Sequence, residues 1–123
     1  MFREIYATRS RLHGPRDGKT LLLAGNLSDQ LVAMQLWTEA KQFLSEQIPI
    51  ALEVFGPDAD VTLRMRGRYA TVLVRGNEKD YAGAAAILED VARRCRRVFG
   101  DSHPLTERAQ GALAAARRLL SMS

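Results

Sequence analysis

The sequence has few of the residues that form disulfides or bind metal ions. Its 123 residues include one cysteine, Cys95, and two histidines. A single cysteine cannot form an internal disulfide, which favours a reducing compartment. Neither histidine has a second histidine or a cysteine at metal-ligand spacing, so we expect no metal and no cofactor. No apolar run reaches the ~18–20 residues of a bilayer span, and the first residues lack the apolar core of a signal peptide. We therefore expect a cytoplasmic protein with no membrane partner.

Charge is spread unevenly along the chain and is carried mainly by arginine. The formal net charge is +4, and 15 of the 18 basic residues are Arg. Residues 62–123 hold 12 basic against 6 acidic residues, whereas residues 1–61 hold 6 against 8. Two interpretations stay open, the codon composition of a GC-rich genome or arginine forks that bind carboxylates or phosphates. The length and the 46% hydrophobic content predict a single globular domain over residues 1–123.

Glycine recurs at a nearly fixed interval and carries other residues with it. Gly14, Gly56 and Gly100 are 42 and then 44 residues apart. A threonine stands six residues after each of them, a second glycine five residues beyond the threonine, and a large side chain two residues further. These sets are Thr20, Thr62 and Thr106; Gly25, Gly67 and Gly111; and Leu27, Tyr69 and Leu113. A repeat of this length predicts a solenoid, in which each unit packs only against its neighbours.

Each repeat is predicted to contain two helices. In the second of them, apolar side chains recur at spacings of three and four. The two series are Trp37, Ala40, Phe43, Leu44 and Ile48, and Tyr81, Ala84, Ile87, Leu88 and Val91. Pro49 falls inside the predicted helix 37–55, where it should remove one backbone hydrogen bond and kink the helix. The layout is a half repeat at 1–12, repeats at 13–54 and 55–98, and a half repeat at 99–123, which gives an all-α fold of six helices.

The turns that follow the predicted second helices carry a family likeness. The run from Trp37 to Val54-Phe55-Gly56-Pro57 resembles the second helix and turn of a tetratricopeptide repeat. The segment from Phe99 to Thr106 is similar to the kinesin light chain subtype, in which an aromatic residue stands eighteen residues before the turn, as Trp37 and Tyr81 do here. The resemblance implies a right-handed superhelix of helical hairpins that binds proteins, with the first helix of each repeat on the concave surface. Only the third turn has the His-Pro pair of the subtype, and of its asparagine pair only Asn26 is present.

No constellation of residues predicts catalysis. His13 and His103 stand in equivalent turns of different repeats, where helix-start chemistry accounts for them. Cys95 has arginine neighbours that could activate a thiol, but its repeat position predicts a buried core residue. The adjacent carboxylates Glu89 and Asp90 point about 100° apart on a helix, so they cannot form a facing acid–base pair and we expect a solvated face. We predict a non-catalytic protein.

The candidate binding residues lie on the first helices of the repeats. Arg64 and Arg68 are one helical turn apart, Arg108 takes the position of Arg64 in the next repeat, and Asn26 takes that of Arg68 in the previous one. The resemblance places these positions on the concave surface. We therefore predict that the three arginines bind carboxylates of an acidic peptide or partner protein, and that Asn26 contacts its backbone. The alternative is an ordinary solvated charged face, which is what we expect for the second-helix residues Arg93, Arg94, Arg96 and Arg97.

Two further functions stay open. The chain could be the helical tail or a fragment of a larger scaffold or multidomain enzyme, which would associate through uncapped terminal faces and form a homodimer. It could also bind nucleic acid weakly and without sequence preference through its basic second half, although it lacks interleaved aromatic residues.

Overall fold

The computed structural model describes residues 2–123 and shows six α-helices. They are α1 (Phe2–His13), α2 (Gly18–Ala33), α3 (Trp37–Phe55), α4 (Asp60–Arg75), α5 (Tyr81–Phe99) and α6 (Pro104–Met122). No strand occurs within residues 2–123. The structure confirms the prediction of an all-α helical-repeat fold with six helices. None of these helices combines the length and the apolar character that crossing a membrane requires.

The three glycines that define the repeat end three helices in the same way. Gly14, Gly56 and Gly100 follow α1, α3 and α5 with φ angles of 87°, 90° and 89°. Each donates its backbone N–H to the carbonyl four residues earlier, at 2.8 to 3.0 Å. This left-handed conformation strains any residue with a Cβ, which explains why glycine stands at all three positions. Gly56 and Gly100 are the C-caps of α3 and α5.

The helices that follow these glycines begin with different caps. The carboxylate of Asp17 accepts a hydrogen bond from the Thr20 N–H at 3.0 Å, and His103 Nδ1 accepts one from the Leu105 N–H at 3.1 Å. The His103 ring also stacks on Phe99, with centroids 4.6 Å apart. His103 therefore stabilises the start of α6, as the sequence predicts. The repeat threonines of the three helices are fully buried.

The helices form two layers. The backbones of α2 and α4, and of α4 and α6, approach each other closely, whereas no such approach joins α1 to α3 or α3 to α5. In a curved two-layer array the more closely spaced layer lies on the inner side, so α2, α4 and α6 line the inner surface. The core lies between the layers. Its largest fully buried apolar side chains are Leu21, Leu44, Leu63, Met65 and Leu88.

The helix α3 contains two residues that stand out in the sequence, Pro49 and Trp37. α3 runs without interruption from Trp37 to Phe55 and contains Pro49, whose side chain is exposed. Trp37 packs against the core, and the chain enters the next loop at Gly76 directly beside it. A Cβ at Gly76 would lie 3.3 Å from the Trp37 Cβ and 2.5 Å from the Val72 carbonyl oxygen. Trp37 therefore packs between helices, as the apolar series of α3 indicates, and glycine is required at position 76 for lack of space.

We call α2 and α3 the first hairpin and α4 and α5 the second hairpin. In each hairpin an ion pair joins the turn before the first helix to the last turn of the second helix. In the first hairpin Arg16 pairs with Glu53. In the second, at the equivalent positions, Asp58 pairs with Arg97 at 3.0 Å. The two pairs therefore have opposite polarity. We refer to them as the hairpin-closing pairs.

Candidate peptide-binding groove

A groove opens between α4 and α6, with α5 as its floor. Its volume is about 200 Å³. Apolar side chains from all three helices line it, among them Leu63, Leu88, Val91, Leu105, Ala109 and Ala112. We call this the α4–α6 groove. It is an apolar trough on the inner side of the array, and its polar character comes from a small number of residues at its sides.

The structure brings the three predicted arginines to this one groove. Arg64, Arg68 and Arg108 all line it. Arg64 and Arg68 lie one turn apart on α4 and are half-buried, whereas Arg108 lies on α6 and is exposed. The groove therefore combines an apolar floor with three guanidinium groups, which can bind a chain that carries both apolar and negatively charged groups.

Two of the three arginines already have a carboxylate partner inside the molecule. Asp29, on α2, accepts hydrogen bonds from Arg64 Nη2 at 2.9 Å and from Arg68 Nε at 2.7 Å. Arg64 Nη1 also lies 3.8 Å from an Asp60 carboxylate oxygen. Each guanidinium has five N–H donors, so both arginines keep donors for a ligand. Their positive charge is nevertheless partly neutralised.

Asp29 is a partner of the arginines that the sequence pattern does not indicate. It lies 35 and 39 residues from its partners, in a different helix, and local spacing gives no sign of such a contact. The repeat register gives no sign of it either, because the position equivalent to Asp29 in the next repeat is Thr71.

Arg108 differs from Arg64 and Arg68 in its ion pairing. Within residues 2–123, no carboxylate oxygen lies within 4.0 Å of its guanidinium. It is exposed at the side of the groove. Arg108 is therefore the cation of the groove whose charge is most available to a ligand.

Asn26 lies apart from the groove. It is on α2, its side chain is exposed, and it is not among the residues that line the space between α4 and α6. A ligand confined to the groove would not reach it. A longer peptide that continues along the inner surface towards α2 could.

The floor of the groove also contains the single cysteine. Cys95 is 1% exposed, and burial raises the pKa of its thiol. A buried thiol with a raised pKa is a poor nucleophile at neutral pH. The prediction that Cys95 is a core residue is confirmed, in spite of its arginine neighbours.

The arginines of α5 depart in part from the expected solvated face. Arg93, Arg96 and Arg97 are exposed, but Arg94 is half-buried and binds both Asp58 and Asp90 at 2.9 Å. Asp90, also half-buried, in addition accepts hydrogen bonds from Arg93 and from Arg66 of α4. The expectation of a solvated face is therefore wrong for Asp90 and Arg94.

The ionisation of Asp90 reflects these contacts. Burial would raise the pKa of its carboxyl group, but hydrogen bonds from Arg66 and Arg94 outweigh that effect and lower the pKa to about 2. Asp90 is consequently ionised throughout the physiological range and links α4 to α5. Glu89, its neighbour in sequence, is exposed and lies 3.2 Å from Arg117 of α6.

Comparison with known proteins supports the family likeness in one part of the chain. Residues 77–105 match the family model described as "Tetratricopeptide repeat". The match includes all of α5, the turn at Gly100 and the first residues of α6. It supports a tetratricopeptide repeat there, and the whole fold is an all-α helical repeat of that kind. Comparison with curated protein sequences finds no match.

Proposed function

We propose that this protein is a non-catalytic interaction module that binds a carboxylate-bearing peptide segment of a partner protein in the α4–α6 groove. Tetratricopeptide repeats generally bind proteins or peptides, and this supports the general class. The observation that carries the specific proposal is the convergence of Arg64, Arg68 and Arg108 on one apolar groove. In the proposed complex, Arg108 binds a ligand carboxylate, and Arg64 and Arg68 contribute the donors that Asp29 leaves free.

The magnitude of each contact depends on how much water the ligand excludes. An ion pair that stays exposed contributes ~0.2–1 kcal/mol, because water and salt screen it. A hydrogen bond to a charged group that is shielded by the bound chain contributes ~1.5–3 kcal/mol. Apolar side chains of the peptide would provide that shielding by covering the trough. We therefore propose that charge selects the ligand and that the apolar floor provides much of the affinity.

Asn26 is proposed to contact the backbone of a peptide that extends beyond the groove. Its exposed amide can both donate and accept, which suits a main-chain amide group. The distance along the inner surface restricts this role to extended ligands.

The proposal is tested by binding of a fluorescein-labelled ten-residue peptide of alternating Glu and Gly, compared with its Gln and Gly counterpart, both with amidated C-termini. At ~150 mM salt, near physiological screening, we expect the acidic peptide alone to bind. Arg108→Glu should weaken that binding at least tenfold, which is about 1.4 kcal/mol. Fluorescence anisotropy provides the dissociation constants.

A matched control lies on the same helix. Arg118 is exposed, is outside the groove lining, and has no ion pair within residues 2–123. Arg118→Glu makes the same charge change, so it should leave affinity nearly unaltered. Equal binding of the Gln peptide, or equal losses in the two variants, would show that the groove is not the binding site. Substitution of Arg64 and Arg68 by Glu is a poorer test, because it would crowd new carboxylates around Asp29.

Association through the terminal faces is the second candidate function, and exposed apolar side chains favour it. At one end Ile5 and Leu12 of α1 are 43% and 67% exposed, and at the other Leu120 and Met122 of α6 are 41% and 75% exposed. Exposed apolar surface of this kind is common where one protein docks on another. A homodimer or a larger partner would cover it.

Nucleic-acid binding has less support. The arginines of α5 that give the second half of the chain its positive charge are paired with carboxylates, chiefly Asp58, Asp90 and Asp101. These pairs reduce the field that a phosphate backbone would meet.

A further inference from the structure

The contact between Asp29 and the arginines has an equivalent one repeat later in the array. Asp29 stands four residues after Gly25, and Thr71 stands four residues after Gly67. By the same register, Arg108 takes the position of Arg64, and Ala112 takes that of Arg68. The α2–α4 contact and the α4–α6 contact can therefore be compared residue by residue.

At the α2–α4 contact the ionic set is complete. One carboxylate, that of Asp29, bridges Arg64 and Arg68 at 2.9 and 2.7 Å. A carboxylate placed between two consecutive inner helices is thus an arrangement that this chain already forms.

At the α4–α6 contact the carboxylate is missing. The equivalent of Asp29 is a threonine, and Thr71 Oγ1 donates to the Gly67 carbonyl at 3.1 Å rather than to a neighbouring helix. Arg108 keeps its position but has no carboxylate within 4.0 Å among residues 2–123. The second arginine is replaced by the small Ala112. Thr71, Arg108 and Ala112 all line the groove, so the groove lies where the ionic set of the previous repeat would be.

We propose that the α4–α6 groove contains a carboxylate subsite between Thr71 and Arg108. Its ligand takes the place relative to Arg108 that Asp29 takes relative to Arg64. This inference rests on the proposed function, and it names the anchoring point of the same groove. The carboxylate accepts a hydrogen bond from the Arg108 guanidinium, as Asp29 does from Arg64, and lies against the Thr71 side chain.

Two features favour a single carboxylate as the ligand group. The loss of the second arginine at Ala112 leaves Arg108 as the one cation that α6 contributes to the subsite, which favours a group with one negative charge. In addition, α6 approaches α4 less closely than α2 does, so the space accommodates a carboxylate that arrives on a separate chain. A backbone can pass beside Gly67, where a Cβ would meet no atom within 4 Å.

The first test needs no ligand. Thr71→Glu supplies a carboxylate from within, and Thr71→Gln is its uncharged control of nearly equal size. We expect Thr71→Glu to melt about 1–4 °C above Thr71→Gln, the range for a partly exposed ion pair in a domain of this size. In an Arg108→Gln background that difference should shrink to the part contributed by Arg68 and Arg75, which lie three and four residues from position 71 on α4. An unchanged difference without Arg108, or no difference with it, would overturn the subsite.

The second test compares two labelled peptides and distinguishes a side-chain carboxylate from a C-terminal carboxylate. The Glu and Gly peptide has an amidated C-terminus, whereas the Gln and Gly peptide has a free C-terminus. We expect Thr71→Glu to weaken binding of the peptide that supplies the carboxylate at least tenfold, and Thr71→Gln to weaken it less than threefold. Binding through the C-terminal carboxylate would appear only with the second peptide. If wild type binds neither peptide, the proposed function fails, while the melting result still decides whether the carboxylate position exists. If Thr71→Glu binds as tightly as wild type, the ligand does not use this subsite.

Discussion

At the scale of single residues, two carboxylates organise most of the arginines on α4 and α5. Asp29 binds Arg64 and Arg68, and Asp90 binds Arg66, Arg93 and Arg94, which are five of the eight arginines on the two helices. The sequence predicts the arginine positions from helical spacing, but it does not predict these partners. An ion pair between helices depends on how the helices pack, and the residues involved are 24 to 39 positions apart.

Because of Asp90, the free energy of unfolding should fall when the pH is lowered into the acid range. Its pKa in the fold, about 2, lies below the ordinary value of 3.8. A carboxylate with a depressed pKa stabilises the folded state above its unfolded pKa, and the contribution is lost as the pH falls towards 2. We expect wild type to lose about 1–2 kcal/mol more than Asp90→Asn does between pH 5 and pH 2. Urea unfolding at a series of pH values measures the difference.

The neighbouring carboxylate provides the control for that experiment. Glu89 is exposed, so Glu89→Gln should keep the wild-type pH profile. At pH 7 Asp90→Asn should also be less stable than wild type, because Arg66 and Arg94 lose their shared partner. Identical profiles for wild type and Asp90→Asn would contradict a structural role for the Asp90 charge.

At the scale of elements, α4 contributes side chains both to the core and to the α4–α6 groove. Its side chains Val61, Met65, Ala70 and Val72 are buried in the core, and the buried Leu63 also lines the groove. Gly67 lines the groove as well. Glycine in a helix interior costs ~1 kcal/mol relative to alanine. Here it also leaves the groove open.

Filling the groove from α4 should separate binding from stability. Gly67→Met places a flexible apolar side chain in space that is empty to 4 Å, so it should maintain or raise the melting temperature through helix propensity. The same change should weaken binding of the acidic peptide at least fivefold by occupying the trough. Anisotropy and thermal melts on the same samples test both effects.

The equivalent glycine of the next repeat is the control for the filled groove. Gly111 also has no atom within 4 Å of a Cβ, but it does not line the groove. Gly111→Met should gain similar helix propensity and keep the wild-type affinity. A wild-type affinity in Gly67→Met would indicate that the peptide binds elsewhere.

At the scale of the whole molecule, the fold could be predicted from periodicity and the site could be predicted only in part. Glycines with φ near 90° end the helices at intervals that the sequence shows directly. The groove itself comes from a difference between repeats, in which Thr71 and Ala112 replace Asp29 and Arg68. Equivalent positions with unequal residues have no periodic signal. Their consequence becomes visible only when the spacing of the helices is known.

The terminal faces and the groove should respond to salt in opposite directions. Both α1 and α6 contain more basic than acidic residues, so contact between the two ends opposes like charges, and salt would screen the repulsion. We expect the mass from light scattering to rise with protein concentration, and more so at 0.5 M than at ~0.05 M salt. Binding of the acidic peptide should weaken over the same range.

Substitution at one end identifies the surface involved in self-association. Leu12→Gln removes an exposed apolar side chain from α1 and should reduce the association. Leu52→Gln is the control, since Leu52 is similarly apolar and 38% exposed but lies on α3, away from the ends. A monomeric mass at all concentrations and salt levels would exclude association through these faces.

The opposite polarity of the two hairpin-closing pairs affects how the chain avoids misfolding. Two hairpins of similar design could exchange their second helices, because α3 and α5 are both 19 residues long and begin with an aromatic residue followed three residues later by a buried alanine. An exchanged α3 would bring Glu53 to Asp58, and an exchanged α5 would bring Arg97 to Arg16, so both errors place like charges together. Each exposed pair contributes little to the stability of the native fold. Its larger effect is to raise the free energy of the exchanged arrangement, so the two hairpins are distinguishable to the folding chain although their backbones are alike.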